Sequence, residues 1–533
     1  MHRLAGKLAI DAEIPLPSDP VQSVLDPASP PDRGAQRWSL FLLCLLILAL
    51  TGIFDDVRQY EPVDDELRYA AVVKNAEERG HWLDLRKANG ELYRNKPPLI
   101  FWLGALLGQL GGELGAVASI ATRLMAVGTV LFTADLTRRW YGALAGGVAG
   151  VAIVTAPHFL EVGRELRTDS AATLGISMAI WSLSLRDSPR ARPALFMTGT
   201  VIALLGKGLV GLVPLGCALA CLAQPSQRFL RSGRFWAWLA LLAIPAAWEI
   251  QLETLHEREI VLDRTCDAPQ SPPATDGDRE TTGGREPIAA SGTVVREPDC
   301  PNCGRFAADF LRAGLLGWLP WTLFLALGAW RDLRSLFAGD ATSEARFRAL
   351  LTLAWATFLI LGWATQDRSY ERYFLLLLPP FALLAGREAA RLGVLLAGAR
   401  RTGALLVIAL AAGWVTVALS MIAPRARGIV PLEEMRAVVE RELPRGDLPV
   451  VAFERSEFRD ELDLAYADLL ADRCVRYVTA GGASPVLVRT REWDELAGRH
   501  PEARRVLGTR VMTLVEFSRP RSTGDGSRPA SSR

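Results

Sequence analysis

The stretch "WSLFLLCLLILALTGIF" (38–54) is followed closely by "VDDELRYAAVVKNAEERG" (63–80), and the two together indicate the fold class. An apolar run of about 17–25 residues is long enough to cross a bilayer as a helix. Carboxylates as close as Asp64, Asp65 and Glu66 repel one another, so proteins keep them where water or a cation takes up the charge. We therefore expect a membrane helix that leads into a charged segment at one membrane surface.

The composition is that of a polytopic membrane protein with charged loops and a soluble part. Of the 533 residues, 50% are hydrophobic and 22% are charged, and the formal net charge is +2. The mean hydropathy is +0.18. Such a mixture suits a chain that crosses the membrane several times. The basic residues are spread over separate connections and form no nucleic-acid-binding pattern, so we predict no nucleic-acid partner.

The apolar runs predict the transmembrane helices. Eleven runs are candidate spans, namely 38–54, 117–137, 143–160, 170–186, 192–206, 208–223, 234–252, 310–330, 348–365, 371–386 and 403–422. The segment "PPLIFWLGALLGQLGG" (97–112) is apolar but short for a span, so we expect a re-entrant or interfacial helix there. If it crosses together with one further span, the count is thirteen and the orientation is unchanged.

Arginine residues are concentrated in alternate connections between these runs, which predicts the orientation. The basic connections are the N-terminal tail and those that contain Arg138 and Arg139, Arg186, Arg190 and Arg192, Arg228, Arg231 and Arg234, Arg331, Arg334 and Arg346, and Arg387, Arg391, Arg400 and Arg401. Because cytoplasmic loops carry an excess of Lys and Arg, we place these connections in the cytoplasm. The first run follows a long polar lead and has no small-residue cleavage site after it, so we interpret it as a retained helix.

The outer face then holds the acidic cluster of the first loop. The outer segments are 55–97, 161–169, the Gly206-Lys207 turn, 253–308, 366–372 and the tail from about residue 423. Asp64 is predicted to cap a helix over 64–78 that lies along the membrane. On this helix Asp65, Arg68 and Tyr69 share a face by their i, i+3, i+4 spacing. A solvated acidic helix start, favoured by the helix dipole, is the alternative interpretation.

Basic side chains are gathered on the same outer face, where they are suited to an anionic headgroup. They are Lys96, Arg164, Arg167, Lys207, Arg368 and Arg372. Lys96 stands before two prolines at the point where the chain enters the membrane, and a snorkelling lysine is the alternative there. Asp169 immediately precedes an apolar helix, so N-capping is the alternative to a role in a site.

Six short motifs occur in an order that resembles the GT-C membrane glycosyltransferases. They are "DDELRYA" (64–70), "NKPPLIFWL" (95–103), "RTD" (167–169), "LLGKGLVGLVPL" (204–215), "GWLPW" (317–321) and "RYFLLLLPP" (372–380). The likeness is to the lipid A aminoarabinose transferase and the protein O-mannosyltransferase group, over roughly 38–390. It implies a polytopic α-helical GT-C fold and an enzyme that takes a sugar from a polyprenyl-phosphate carrier on the outer face of the cytoplasmic membrane.

The resemblance also implies roles for individual residues. Asp65 matches the acidic residue of the first loop and is implied as general base, with Glu66 beside it and Asp169 as the acid of the second loop. Lys96 matches the lysine before the double proline, which is implied in donor-phosphate contact. Arg68 and Tyr69 match neighbours of the first-loop acid, and Lys207 and Arg372 fall on basic positions near the donor. Arg368 and Tyr373, from the outer segment 366–380, are added as further donor-phosphate candidates.

Sugar transfer needs both acidic and basic residues. An acceptor hydroxyl attacks the anomeric carbon while the lipid phosphate leaves, which needs a carboxylate near the hydroxyl and cations near the phosphate. A phosphate is a good leaving group, so a divalent metal is optional and we predict no certain cofactor. Asn95 stands where the family often has an acid, which weakens any metal site built on that acid. Leu67 and Thr168 stand where the family often has proline.

The loop 253–308 has no counterpart in the resemblance. It contains Cys266, Cys300 and Cys303, for which a disulfide is expected in an oxidising outer compartment. A Cys3His zinc set that includes His256 is the alternative. Acceptor specificity is therefore not carried over from the family.

The chain divides into a tail, a membrane domain and a soluble domain. Residues 1–37 form the cytoplasmic N-terminal tail, and 38–422 form the transmembrane domain. The segment 423–520 is predicted as an outer α/β domain with helices at 431–443 and 457–472 and strands at 448–453, 475–480, 484–490 and 511–517. We expect 521–533 to be disordered.

Other functions remain open from the sequence. A transporter is disfavoured because no inverted repeat and few mid-span charges are present. A lipid-linked-sugar binding protein or flippase would use the same basic residues without chemistry and would tolerate the loss of Asp65. An oligosaccharyltransferase would move a preassembled chain. The expected partners are a polyprenyl-phosphate-sugar donor, membrane lipid, and an acceptor that is a lipid, a protein or a glycan.

Overall fold

The protein is a bundle of apolar helices with a small C-terminal α/β domain, as predicted. The computed structural model describes residues 31–54, 62–111, 114–185, 188, 190–224, 229–266, 306–338, 341–366, 370–422, 432–443, 446–453, 457–471, 473–480 and 485–517. The predictions for Arg368, Cys300, Cys303, and the two termini (1–30 and 518–533) fall outside the described residues.

The helices of the membrane domain follow the predicted apolar runs. They are α1 (Pro31–Phe54), α2 (Asp65–Glu78), α3 (Leu99–Gly108), α4 (Leu114–Tyr141), α5 (Ala143–Val154), α6 (Pro157–Val162), α7 (Thr168–Ser182), α8 (Ala191–Lys207), α9 (Val213–Ala220), α10 (Gly233–Trp236), α11 (Ala243–Cys266), α12 (Trp321–Phe337), α13 (Ser343–Ala364) and α14 (Phe374–Ile422). Shorter 3-10 segments cover Gly208–Leu212, Ala237–Leu242 and Glu371–Tyr373, and a π-helical segment covers Phe310–Leu316.

The described part of the chain contains several helical stretches that could cross a membrane by length and composition. Five qualify, namely Leu114–Tyr141, Ala191–Ala220, Gly233–Glu259, Ser343–Ala364 and Glu371–Leu396. The bent pair Phe306–Leu316 and Trp321–Phe337 qualifies when it is taken as one span. The helix in the 97–112 segment, α3, has ten residues, in line with a segment too short for a span.

Two predicted runs are not single straight helices. The run 143–160 stops at Val154 and resumes as α6, with Pro157 in its first turn. Proline lacks an amide N–H and disfavours helix in the residue before it, so it begins a helix more readily than it continues one. The run 310–330 bends by 104° before α12. The stretch α14 covers the predicted runs 371–386 and 403–422, and it is interrupted at Gly398, φ +77°, within the connection predicted between them.

The predicted turn at Gly206-Lys207 is confirmed. Helix α8 ends at Lys207, and Gly208 has a φ of +62°, a conformation that favours glycine. Gly211 lies so close to Leu204 that a Cβ on it would overlap the Leu204 amide nitrogen. The chain therefore folds back against α8 directly after Lys207.

Helices α7 and α8 approach each other through two glycines. A Cβ placed on Gly175 would lie 2.5 Å from the Gly199 carbonyl oxygen, and one on Gly199 would lie 2.5 Å from the Gly175 carbonyl oxygen. Small residues let helix backbones approach closely in membrane bundles. This contact fixes the start of α7 beside the end of α8.

The C-terminal domain contains a five-stranded mixed sheet and three helices. The helices are α15 (Leu432–Glu442), α16 (Glu457–Ala471) and α17 (Trp493–Arg499), and the strands are β1 (Leu448–Val451), β2 (Val475–Tyr477), β3 (Val486–Arg489), β4 (Ala503–Gly508) and β5 (Met512–Phe517). The strand order is β2-β1-β3-β5-β4. Strand β1 pairs in parallel with β2 and β3, whereas β5 is antiparallel to β3 and β4. The predicted helices and strands are present; α17 and β4 were not predicted.

The C-terminal domain packs on helices α2 and α3 of the membrane domain. A single apolar cluster includes Leu67 and Val72 of α2, Phe101 of α3, and Tyr466 and Leu469 of α16. All of these side chains are buried. Helix α2 therefore lies between the membrane helices and the soluble domain.

Candidate functional site

The start of α2 holds the two acids singled out in the sequence. Asp64 occupies the N-cap position, but its φ and ψ are 47° and −120° and its side chain makes no capping hydrogen bond, so the predicted capping by Asp64 is wrong. Instead, Glu66 Oε2 accepts a hydrogen bond from the Val63 amide at 3.2 Å. Glu66 is 1% exposed. Its carboxylate therefore helps to close the first turn.

Asp65 lies among three arginines from three separate parts of the chain. Its Oδ2 atom is 3.3 Å from Arg372 Nη2 and 3.7 Å from Arg167 Nη1. Its Oδ1 atom is 3.9 Å from Arg68 Nη1. The Asp65 side chain is nonetheless 22% exposed. It is held in position by cations while one side stays accessible.

Asp169 and Lys207 form a buried ion pair. Lys207 Nζ donates a hydrogen bond to Asp169 Oδ1 and lies 4.0 Å from the centre of the Tyr373 ring. The N-cap position of α7 is Arg167, and Asp169 lies within the first turn and makes no capping bond. N-capping therefore does not explain Asp169. Its partner is the lysine at the end of α8.

Arg167 links the two acidic segments. Besides Asp65, it contacts Glu165 and lies with its Nε atom 3.9 Å from Glu66 Oε1. Burial raises the pKa of Glu165 above its ordinary value, against the lowering effect of Arg167. Glu165 was not among the predicted site residues.

The aromatic residues of the predicted site pack beneath the charges. The Tyr69 ring lies edge-on to Phe101 at 5.7 Å and to Tyr93 at 6.4 Å between ring centres. Burial, and then the charge of Asp65, raises the pKa of Tyr69 above its ordinary value, so its phenol stays neutral. The Arg372 guanidinium lies 4.1 Å above the Tyr370 ring.

Lys96 differs from the other cations of the site. Among the residues that the structure describes, it has neither an ion-pair nor a hydrogen-bond partner. It is close enough to Lys207 for the two charges to repel. An unpaired ammonium beside a second lysine is suited to a doubly charged anion such as a phosphate.

Arg68 contacts the C-terminal domain. Its Nε atom lies 3.0 Å from Glu461 Oε1 on α16, while its Nη1 atom is the one that lies near Asp65. Glu461 was not predicted, since nothing in its local sequence pattern connects it with the segment that contains Asp65.

In the described ranges, no group of three His, Cys, Asp or Glu side chains is placed to hold a metal ion. The predicted zinc set needs both Cys300 and Cys303, and the predicted disulfide needs at least one of them. Both cysteines lie outside those ranges, so the zinc set and the disulfide stay predictions.

Comparison with known proteins identifies the fold. Residues 95–248 match the family model of dolichyl-phosphate-mannose-protein mannosyltransferases. The crystal structures of ArnT from Cupriavidus metallidurans, in the apo state and bound to undecaprenyl phosphate, superpose with TM-scores of 0.56 and 0.57. Each is 16% identical in sequence, and each match covers 90% of this chain and 98% of that chain.

A weaker match is to the oligosaccharyltransferase of Archaeoglobus fulgidus, with 13% identity and a TM-score of 0.47, covering 82% of this chain and 64% of that one. A sequence search of the curated proteins gives no match. The ArnT superposition and the family match confirm the resemblance stated from the sequence: this chain is a multi-pass membrane protein with the GT-C fold of ArnT, and its segment 95–248 has the sequence pattern of the mannosyltransferase family.

Proposed function

We propose that the chain is an integral-membrane glycosyltransferase that moves a sugar from a polyprenyl-phosphate carrier to an acceptor. Support comes from the mannosyltransferase pattern of 95–248 and from the fold of ArnT, which was crystallised with undecaprenyl phosphate. The donor sugar belongs to the hexose or pentose class, and the acceptor is a lipid, a protein or a glycan.

We place the reaction on the outer face of the cytoplasmic membrane, with the N-terminus in the cytoplasm and the C-terminal domain outside. The alternation of arginine-rich connections supports this orientation. The packing of α16 on α2 supports it further, because the soluble domain and the first acidic loop then share one side of the membrane.

One observation carries the proposal: residues predicted from distant segments converge. Asp65 contacts Arg167 and Arg372, and Asp169 contacts Lys207. Such a cluster of buried ionisable groups at the end of apolar helices is costly unless it serves a function. It combines an accessible carboxylate, Asp65, with a lysine, Lys96, that has no partner among the described residues, and sugar transfer from a phosphate requires both kinds of group.

In the proposed mechanism Asp65 is the general base. The acceptor hydroxyl attacks the anomeric carbon, and its proton passes to the Asp65 carboxylate. The bond between the anomeric carbon and the phosphate oxygen breaks, and the electron pair leaves with the phosphate. Because Arg372 contacts Asp65, the base lies next to the cations that receive the leaving group.

The donor phosphate is assigned to the basic side of the cluster. Lys96 binds it, with Lys207, Arg372 and Arg68 as further cations and Tyr69 and Tyr373 as aromatic neighbours. Arg368, predicted for the same role, lies outside the described residues and stays a prediction. Asp169 keeps Lys207 in place, and Glu66 supports the first turn of α2. No step of this mechanism uses a metal.

A donor panel tests the proposal. Membranes that contain the wild-type protein are supplied with radiolabelled mannosyl-, glucosyl-, galactosyl- and aminoarabinosyl-phosphoundecaprenol, and loss of label from the carrier is followed. We expect one donor to be consumed and the label to appear in an acceptor. Equally abundant Asp65→Asn protein should consume none. Carrier binding without consumption by either protein would favour a binding protein or flippase instead.

A further inference from the structure

The C-terminal domain places a carboxylate in the charged cluster. Glu461 Oε1 lies 3.0 Å from Arg68 Nε and 3.7 Å from Lys87 Nζ. The same Arg68 guanidinium reaches Asp65 through Nη1 at 3.9 Å. The arginine therefore lies between two carboxylates, one at the proposed base and one on the soluble domain.

This bridge is shielded from solvent. The side chains of Arg68, Glu461 and Asp65 are 11%, 15% and 22% exposed. In such surroundings the position of a guanidinium depends strongly on which carboxylates compete for it, since charge interactions are little screened. Removing the charge of Glu461 should therefore change the position of Arg68 relative to Asp65.

The soluble domain is fixed in the orientation that the bridge requires. Asp468 lies seven residues after Glu461, two turns further along the same face of α16. Its carbonyl oxygen accepts from Lys74 Nζ at 2.6 Å, and its Oδ1 atom lies 3.1 Å from Arg79 Nη2. Arg68 contacts Glu461 and, further along both helices, Lys74 contacts Asp468. Helices α2 and α16 therefore run side by side in the same direction.

We propose that Glu461 is a positioning residue for the transfer reaction, which rests on the function proposed above. Its carboxylate holds Arg68 back from Asp65, so that one face of the Asp65 carboxylate stays free to accept the proton of the acceptor hydroxyl. Without that charge, Arg68 moves fully onto Asp65 and occupies the oxygen that the hydroxyl needs. Of the proposed donor-phosphate cations only Arg68 moves. Lys207 keeps its contact with Asp169, and Lys96 contacts neither Glu461 nor Arg68, so the main phosphate-binding charges stay in place.

Steady-state kinetics with full-length Glu461→Gln tests this role, using the donor of the panel that wild type consumes. We expect kcat to fall by about tenfold or more, since small displacements of a reacting group are costly, while the donor KM stays within about twofold. Glu461→Asp, which keeps the charge on a shorter side chain, should recover part of the loss. Glu495→Gln, on exposed α17, is the matched control and should behave as wild type.

The outcomes separate this inference from the proposed function. Wild-type kcat in Glu461→Gln, beside an inactive Asp65→Asn, overturns the positioning role and leaves the transferase proposal intact. Full activity in both variants, or no donor consumed by wild type, overturns both. A loss of kcat that is accompanied by release of the C-terminal domain on limited proteolysis shows a structural contact only and also overturns the positioning role.

Discussion

At the scale of single residues, the charged cluster around Asp65 and Asp169 contains ion-paired residues and one lysine, Lys96, that differs from them. Asp65 and Asp169 each contact cations, and Arg372 and Lys207 are their partners. Lys96 has no such partner among the described side chains. We therefore place the donor phosphate at Lys96, which lies near a second lysine, Lys207.

This placement predicts the effect of Lys96→Met. One charge-assisted hydrogen bond contributes about 1.5–3 kcal/mol, so the Kd for undecaprenyl phosphate should rise roughly ten- to a hundredfold. Binding of labelled undecaprenyl phosphate to the purified protein measures it. Arg94→Met, two residues earlier, removes a cation whose partner is Glu253 at 2.7 Å and should leave the Kd unchanged. Equal affinities for Lys96→Met and wild type would place the phosphate elsewhere.

The residues of the site could be predicted from the sequence, but most of their contacts could not. Asp65, Asp169 and Lys207 were predicted because charged residues at the ends of apolar runs stand out in the sequence. The capping roles of Asp64 and Asp169 are wrong, since capping depends on backbone angles and on partners that arrive from other helices. Glu461 had no local signal at all, because its partner Arg68 lies in a different domain.

At the scale of elements, the α7–α8 contact fixes the geometry of the Asp169–Lys207 pair. Asp169 begins α7 and Lys207 ends α8, and the Gly175–Gly199 approach lies between the two antiparallel helices. Any side chain at this crossing pushes the backbones apart. The ion pair above the crossing would then be stretched or broken.

Gly175→Leu is therefore predicted to impair both stability and activity. Overpacking costs about 1–3 kcal/mol, which should appear as a lower Tm of the detergent-solubilised protein together with reduced donor consumption. Gly362→Leu is the matched control, because nothing lies within 4 Å of a Cβ at Gly362 in α13. A Gly175→Leu protein as stable and active as this control would show that α7 and α8 tolerate separation.

The apolar runs predicted where helices form but not where they break. Hydropathy is a local property, and it located α1, α4, α7 and α13 from composition alone. The 104° bend before α12 lies inside the predicted run 310–330 and left no mark in hydropathy, whereas the break at Gly398 lies in the connection predicted between two runs. Strand β4 was missed because Arg504 and Arg505 are adjacent and Val506 is exposed, so this edge strand lacks the alternation of apolar and polar residues that marks a strand.

At the scale of the whole molecule, the soluble domain is held on α2 by buried charges as well as by apolar packing. Lys74 and Asp468 are 7% and 6% exposed, Lys74 Nζ lies 3.3 Å from Asp468 Oδ1, and Arg79 also reaches that carboxylate. A buried charge that loses its partner is strongly destabilising. The docking of the two domains should therefore depend on Asp468.

Asp468→Asn is predicted to loosen the docked domain. Removing one partner of a buried pair costs about 3–5 kcal/mol, so limited proteolysis should release the C-terminal domain at lower protease concentration than in wild type. Asp494→Asn, an exposed aspartate on α17, serves as the control and should leave the digestion pattern unchanged. Identical digestion of the Asp468→Asn protein and the control would mean that apolar packing alone holds the domain.

The most direct measurement compares Asp65→Asn with wild type for both carrier binding and turnover in the same purified preparations. Binding is followed with labelled undecaprenyl phosphate, and turnover with the donor that wild type consumes. We predict that Asp65→Asn keeps the carrier affinity of the wild type and loses turnover by about a hundredfold or more, because the general base is gone while the cations remain. Undiminished turnover in Asp65→Asn would contradict the assignment of Asp65 as the base of a glycosyltransferase.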